Sequence, residues 1–362
     1  MLRYILLMVM LVGWTASTTF AQCRLEILSD PQGREILHLN NGLIQAQLLP
    51  ASSGRVMGLG LVKESVVLTP PLHERVVEEP LLPRMVTNNQ AGFKDWLWGE
   101  TNRAENLFVY RLIENNTNRI VVDLEGRVGY FRIVRRVQLD AGSLVLRQQV
   151  TITNPTAQQQ KLNYWAHLVL DGDQFIDNAE SDCSTIYVPA DRGHATPRNR
   201  KMLALDRSGV QPWVMKKGSA LFEPMALWQA RFISPASTGV AMRMSSTMMG
   251  PDAMLYTWQG NGFGGPLVVT LEMIADERIL QSKASITFDV ALILLPGMTG
   301  IDALHDVHAV QQVKGQWQVL AIENTPATSL SIKQDSKSMV LKVPAMKAGE
   351  HWMPVPNPTL VN

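Results

Sequence analysis

The sequence predicts an all-β fold, a large two-sheet β sandwich, on three observations. Short apolar runs with a period near two and frequent β-branched residues follow one another along most of the chain, a pattern typical of strands. Turn residues separate these runs, as in Asp-Ala-Gly at 140–142, where Gly142 is free to adopt a positive φ. Neither a repeat of fixed period nor a low-complexity linker divides the chain. Packing two sheets face to face is the simplest way to bury so many half-apolar strands.

The individual strands are predicted from these runs in chain order. The first are LIQAQLL (43–49), NLFVYRLI (106–113), RIVVDLEG (119–126), YFRIVRRVQL (130–139) and SLVLRQQVTIT (143–153). There follow KLNYWAHLVL (161–170), STIYVPA (184–190), MALWQARFI (225–233), TGVAMRM (238–244), AMLYTW (253–258), PLVVTLEMIA (266–275) and SITFDVALILL (285–295). The last are WQVLAIEN, SLSIKQ and SMVLKVPA. The proline-rich segment 69–84 is predicted to be a long surface excursion rather than a domain boundary.

One segment departs from the strand pattern. In GIDALHDVHAVQQV (300–313), apolar residues recur at positions 301, 304, 307 and 310, and an aspartate stands near the start. This spacing places the apolar side chains on one face of a helix, and the acidic group favours its N-terminus. The sequence therefore predicts one short amphipathic helix over 300–313.

The N-terminal segment 1–21 has the layout of a secretory signal peptide. Arg3 precedes an apolar run that ends at Trp14, and small polar residues lead to Ala21. The apolar run is shorter than a membrane helix requires, and Gln22 before Cys23 does not suit lipoprotein processing. We therefore expect cleavage near Ala21, a periplasmic or secreted location without membrane insertion, and a single domain over 22–362.

Composition narrows the classes of partner and cofactor. The chain has 33 basic and 32 acidic residues, a net charge of +1, and no long run of either sign, which argues against nucleic acid as a partner. No spacing of cysteine and histidine indicates a structural zinc site, and we expect neither a metal nor an organic cofactor. Cys23 and Cys183 are the only cysteines, and their pairing and the oligomeric state stay open at this point.

Three segments in order resemble one known family. LNNGLIQAQLLPASSGRVMGLGL comes early, VTITNPTAQQQKLNYWAHLVLDGD comes midway, and MLYTWQGNGFGGPLVVTLEMIADE comes late. Their strands, turns and glycine-rich loop are similar in order and spacing to the galactose mutarotase-like, or aldose 1-epimerase-like, superfamily. The resemblance covers most of the chain after residue 21. It implies a β-supersandwich with a concave face that binds sugar.

The resemblance also assigns roles to two residues. In the epimerases a strand histidine is the general acid at the ring oxygen of the sugar, and a late glutamate is the general base on the anomeric hydroxyl. These roles fall on His167 and Glu272, and the expectation is that the two groups face each other across the sugar. Ring opening delivers a proton to one oxygen and removes one from another, so an imidazolium and a carboxylate suit it near neutral pH.

The sequence departs from the family upstream, where the epimerases carry a second histidine that helps to hold the sugar. The equivalent stretch here is NNQAGFKDWLWGE (88–100), which has none. Its aromatic and charged residues are of the types that stack on sugars and hydrogen-bond to them. The substrate-binding candidates are Arg55, Lys94, Asp95, Trp96, Trp98, Asn163, Trp165 and Trp258.

Strand alternation gives a test of these assignments. Asn163, Trp165 and His167 share one predicted face, and Thr270 shares a face with Glu272. The structural alternatives are a histidine bonded to a backbone carbonyl and an exposed, outward carboxylate.

Three functions remain open: a sugar epimerase, a non-catalytic glycan-binding or scaffold module, and a polysaccharide-processing enzyme with a longer groove.

Overall fold

The computed structural model describes most of the chain after the first 21 residues. The described residues are 22–63, 66–67, 75–77, 85–87, 92–97, 107–175, 183–195, 202–204, 209–233, 238–245, 247, 250, 252–261, 267–334, 337–354 and 359–361. The predicted signal peptide, most of the proline-rich segment 69–84, and Trp98 lie outside these ranges.

Strands account for nearly all the regular structure. The first are β1 (Arg24–Ser29), β2 (Glu35–Asn40), β3 (Ile44–Leu49), β4 (Arg55–Leu61), β5 (Val66–Val67), β6 (Arg75–Val77), β7 (Met85–Thr87) and β8 (Gly92–Leu97). The next are β9 (Val109–Asn115), β10 (Arg119–Val128), β11 (Phe131–Asp140), β12 (Val145–Thr153), β13 (Gln160–Leu162), β14 (Tyr164–Asp171), β15 (Ser184–Ala195) and β16 (Met202–Ala204).

The second half continues in the same way. Its strands are β17 (Val210–Met215), β18 (Gly218–Pro224), β19 (Trp228–Ile233), β20 (Thr238–Met244), β21 (Met254–Asn261), β22 (Leu267–Ile274), β23 (Arg278–Leu280) and β24 (Ser285–Pro296). After these come β25 (Ala303–Leu304), β26 (His308–Val313), β27 (Gln316–Ala321), β28 (Thr328–Gln334), β29 (Lys337–Val343), β30 (His351–Trp352) and β31 (Thr359–Val361).

Two large antiparallel sheets form the body of the molecule, which confirms the predicted all-β sandwich. The first sheet has the order β1-β2-β3-β4-β8-β14-β22-β21-β18-β15-β16. The second has the order β9-β10-β11-β12-β24-β20-β19-β15-β17. The long strand β15 belongs to both sheets, because its first half pairs with β17 and β19 and its second half with β16 and β18.

Alternate side chains of the two sheets meet in one apolar core. On β14, Tyr164 is fully buried and stacks on Phe288 of β24, with ring centroids 4.3 Å apart. Leu168 of the same strand and Leu271 of β22 are also fully buried. Because successive residues of a strand point to opposite faces, the residues that alternate with these on β14 and β22 face away from this core. The turn after β11 is the predicted one, and Gly142 has φ of 68°.

The helix predicted over 300–313 is wrong. The segment forms a hairpin of β25 and β26, in which Ala303 pairs with Val310, and the amide of His305 donates to the carbonyl of His308 at 2.8 Å. β26 pairs along its whole length with β27, and these ladder bonds outweigh the local helical periodicity. The one helix in the described ranges is α1 (Gly172–Phe175), a single turn. No helix there is long and apolar enough to cross a membrane.

The segment that follows β24 adds two small sheets with a core of their own. Their orders are β25-β26-β27-β30 and β28-β29-β31, and a cluster that includes Trp317, Leu330 and Leu341 lies within them. They contact the large sandwich through the amide of Leu144, which donates to the Ile322 carbonyl at 2.9 Å. The assignment of 22–362 to a single domain stays a prediction.

The two cysteines are both buried, and no disulfide joins them. Cys23 precedes β1, and its thiol lies 3.5 Å from the carbonyl oxygen of Leu139. Burial, assisted by the charge of Asp140, raises the pKa of the Cys23 thiol to about 11. The thiol is therefore protonated at neutral pH and is a poor nucleophile.

We expect acid to weaken the fold through the hairpin that carries His305 and His308. Burial lowers the pKa of both, with His305 lowering that of His308 further and Asp306 opposing the shift at His305. Neither ring nitrogen of the fully buried His308 makes a hydrogen bond in the described part of the chain. The two histidines therefore bind protons more readily in the unfolded chain than in the folded one. Their full contribution to the free energy of unfolding is present above about pH 6.5 and is lost as the pH falls toward their lower pKa values in the folded chain.

The measurement is the free energy of unfolding in urea between about pH 7 and about pH 5. His308→Leu removes one titrating ring and is expected to flatten the pH dependence while preserving the unfolding transition. An equally steep dependence in His308→Leu would show that other groups cause it.

Candidate functional site

Four neighbouring strands of the first sheet bring a row of polar side chains together. On β14, His167 pairs directly with Lys94 of β8 on one side and with Glu272 of β22 on the other. Glu272 pairs in turn with Tyr256 of β21. Directly paired residues in adjacent strands project to the same face, so Lys94, His167, Glu272 and Tyr256 form a continuous row, here called the polar row.

The polar row lies on the face of the sheet that is turned away from the inter-sheet core. Trp165, two residues before His167, makes edge-to-face contacts with His167 and Tyr256, with ring centroids 6.4 Å and 5.7 Å away. Tyr164, the residue before Trp165, packs on the opposite side of the sheet against Phe288. This confirms the predicted alternation of β14, in which Trp165 and His167 share one face.

His167 and Glu272 contact each other directly. The Nε2 atom of His167 lies 3.5 Å from Oε1 of Glu272, and their side chains are 9% and 3% exposed. Glu272 lies on this outer face but is nearly buried, so it is not the exposed carboxylate that the sequence left as an alternative. The two groups also do not face each other across the width of a sugar, because adjacent strands place them side by side.

Two residues next to this pair were not among the site residues predicted from the sequence. Thr270 precedes Glu272 by two positions, and its hydroxyl donates to Glu272 Oε1 at 2.5 Å. Tyr256 is half-buried, and burial raises the pKa of its hydroxyl. The hydrogen bond with Ser219 partly opposes this rise, and the charge of Glu272 adds to it. Alternation along β22 identifies Thr270, but Tyr256 requires the pairing of β21 with β22.

Arg55 extends the polar row by one strand. Val56 of β4 pairs with Phe93 of β8, so antiparallel register sets Arg55 beside Lys94. Arg55 is 1% exposed and Lys94 is 6% exposed. The turn before β4 contains Gly54, whose φ of 61° favours glycine and where a Cβ would lie 2.9 Å from the ring of Phe108.

Asp95 does not belong to the polar row, which corrects its prediction as a substrate-binding residue. As the neighbour of Lys94 on a strand, it points to the opposite face. Its carboxylate accepts hydrogen bonds from Arg135 Nε at 2.9 Å and from the Tyr164 hydroxyl at 2.7 Å, in the core between the sheets. Burial, with the charge of Asp95, holds the pKa of Tyr164 well above its usual range.

The other predicted contacts fall at the edges of the row. Trp96 is paired with Trp165 in the β8–β14 register, and its side chain lies outside the described set. Asn163, just before β14, and Trp258, two residues after Tyr256 on β21, are half-buried. No three His, Cys, Asp or Glu side chains come together to hold a metal ion in the ranges that the structure describes, and the expectation of a metal-free site stays a prediction.

Comparison with solved structures identifies the architecture. A galactose mutarotase-like protein from Clostridium acetobutylicum superposes with a TM-score of 0.52 and 10% identity, over 76% of this chain and 99% of its own. The fold is galactose mutarotase-like. A candidate aldose 1-epimerase from Klebsiella pneumoniae also shares this fold, with a TM-score of 0.55 and 10% identity, over 76% of this chain and 84% of its own.

The galactose mutarotase-like fold also occurs inside a larger protein. A TPR-domain-containing protein from Parabacteroides distasonis matches with a TM-score of 0.52 and 13% identity, over 75% of this chain and 48% of its own, so this chain spans about half of it. No protein-family model matches the chain, and no curated protein is similar to it in sequence. Identities this low establish a shared fold and do not transfer an activity.

Proposed function

We propose that this chain is an exported sugar epimerase that interconverts the anomers of an aldose, with His167 as general acid and Glu272 as general base. The observation that carries the proposal is the direct contact of these two groups on one face of the first sheet, at 3.5 Å. Ionisable groups that are nearly buried and held against a specific partner are candidates for a functional site. Export rests on the signal-peptide pattern of residues 1–21.

Side-by-side placement suits this reaction because the ring oxygen and the anomeric oxygen are both bonded to C1. In ring opening, the Glu272 carboxylate takes the proton of the anomeric hydroxyl, and the C1–O bond to the ring oxygen breaks. The electron pair goes to the ring oxygen, which takes a proton from the His167 imidazolium. Rotation about the bond between C1 and C2 and reversal of these transfers close the other anomer. No electron donor or acceptor is needed.

Neighbours of the pair supply contacts that suit a sugar. The ring of Trp165 lies edge to face with those of His167 and Tyr256, and aromatic faces pack against the CH groups of sugar rings. Lys94 and Arg55 follow in the polar row and supply donors that suit hydroxyl oxygens. We assign these four residues to substrate binding, together with Trp258 and Asn163 at the edges.

A glycan-binding protein without catalysis is the second candidate. One observation favours it: β8, which runs beside His167, comes from the segment that lacks the upstream histidine of the epimerases, and it places Lys94 at His167. A lysine there would hold a sugar hydroxyl as a donor only, whereas a histidine both donates and accepts.

Polarimetry separates the two candidates. Freshly dissolved α-aldoses are followed with and without the purified chain, and an epimerase shortens the approach to the anomeric equilibrium in proportion to protein concentration. No acceleration with any of a panel of hexoses and pentoses, together with sugar binding by calorimetry, would leave the non-catalytic function.

A further inference from the structure

The hydroxyl of Thr270 lies against the carboxylate of Glu272 on the same face of β22. Its Oγ1 is 2.5 Å from Glu272 Oε1, and Thr270 is 2% exposed. We propose that Thr270 is a positioning residue, whose hydroxyl fixes the orientation of the carboxylate that acts as the base. This inference rests on the proposed function and adds to it a residue that the catalytic pair depends on.

The direction of the Thr270 hydrogen bond follows from its second partner. The backbone amide of Trp258 lies 2.8 Å from Thr270 Oγ1, and an amide N–H can only donate. The hydroxyl therefore accepts from Trp258 and has its one proton left to give. The carbonyl oxygen of Trp258 is 3.4 Å away, whereas Glu272 Oε1 is 2.5 Å away and charged. The Thr270 hydroxyl therefore donates to Glu272 Oε1, in a short, charge-assisted hydrogen bond.

This arrangement replaces part of the sheet ladder. β21 and β22 keep one register on both sides of a short interruption, which falls at Thr257 and Trp258. There the Trp258 amide donates to the Thr270 hydroxyl, and the Thr270 carbonyl accepts from Thr257 Oγ1 at 2.6 Å. Thr257 in turn accepts from Arg231 at 2.7 Å. The hydroxyl and the backbone carbonyl of Thr270 are thus both held by hydrogen bonds in which a side chain takes part. These bonds fix the position of the hydroxyl.

The consequence for the reaction concerns which carboxylate oxygen meets the sugar. Oε1 of Glu272 receives the Thr270 proton and faces His167 at 3.5 Å, so Oε2 is the oxygen presented to the anomeric hydroxyl. Without the hydrogen bond from the Thr270 hydroxyl, the Glu272 carboxylate can rotate so that both of its oxygens approach the His167 imidazolium. A tight ion pair of acid and base would withdraw both from the sugar, because each satisfies the other.

The test compares Thr270→Val, which keeps the shape and removes the hydroxyl, with Thr270→Ser, which keeps the hydroxyl. For anomer interconversion we expect Thr270→Val to lower kcat by about tenfold to a hundredfold, the worth of a hydrogen bond to a charged group. KM should change by less than about twofold, because the loss falls on the transition state. Thr270→Ser should restore most of the rate. A Thr270→Val enzyme with wild-type kcat overturns the proposal.

A double-mutant cycle with Glu272→Ala provides a readout that does not depend on activity. If Thr270 acts on the carboxylate, both single variants remove the same hydrogen bond. The sum of their two shifts of the urea midpoint should then exceed the shift in the double variant. Strictly additive shifts would show that Thr270 has only a separate structural role and overturn the proposal. A wild-type chain that accelerates no aldose would instead overturn the proposed function, whatever the cycle shows.

Discussion

Replacing Glu272 with glutamine is expected to lower the rate of anomer interconversion by at least about a hundredfold, because a positioned acid–base group typically contributes that factor or more. The amide keeps the size of the side chain but cannot take a proton from the anomeric hydroxyl. His167→Gln is expected to have an effect of the same size. Since the two groups act as a unit, the double variant should be little worse than either single variant. Polarimetric rates at saturating aldose measure all three.

The chain offers a matched control on the same sheet. His38 of β2 and Glu26 of β1 are also cross-strand partners, with Nδ1 3.7 Å from Oε2, but their side chains are 18% and 37% exposed. His38→Gln should leave the mutarotation rate unchanged. An equal loss in His38→Gln and His167→Gln would mean that the losses come from damage to the sheet, and it would contradict the assignment of His167 as the acid.

Replacing Asp95 with alanine is expected to lower the free energy of unfolding by about 3–5 kcal/mol, the usual cost of removing one partner of a buried ion pair. Asp95 and Arg135 have side chains 2% and 1% exposed, and they join the two sheets across the core. Without the carboxylate, the Arg135 guanidinium keeps its charge in a region from which water is excluded. Urea denaturation, followed by tryptophan fluorescence, measures the loss.

The neighbouring arginine on β11 provides the comparison for Asp95. Arg136 points to the outer face and binds Asp123 at 2.8 Å, with its own side chain 46% exposed. Asp123 is itself buried and also binds Arg111, but Asp123→Ala should cost less than Asp95→Ala, because water solvates the two arginines that are left. Similar losses in Asp95→Ala and Asp123→Ala would show that the link between the sheets does not depend on the buried pair.

The sequence predicted the elements of the candidate site better than their contacts. The period of two in β14 and β22 was sufficient to place Trp165 and His167 on one face, because alternation is a local property. The same rule, applied to β8, separates Lys94 from Asp95, and the prediction of both as sugar ligands overlooked it. The direct contact between His167 and Glu272 depends on the β14–β22 register, which is fixed by pairing between distant parts of the chain.

The hairpin at 303–313 shows where local pattern fails altogether. Apolar residues at helical spacing also fit two short strands when a turn falls between them, and the turn here is at 305–308. β27 lies next in sequence and pairs with β26 over six positions, from His308 to Val313. Tertiary pairing of this kind overrides helix periodicity in a segment of only four turns.

A crystal structure of the Glu272→Gln variant with a bound aldose tests the central claim most directly. The account predicts C1 of the sugar within about 4 Å of His167 Nε2 and of the substituted side chain, a distance that allows attack and proton transfer. Trp165 and Tyr256 should line the ring. The contrary result is a sugar bound elsewhere, as in the outer groove of about 710 Å³ between Arg147 and Arg243 on the second sheet, with no sugar at the polar row.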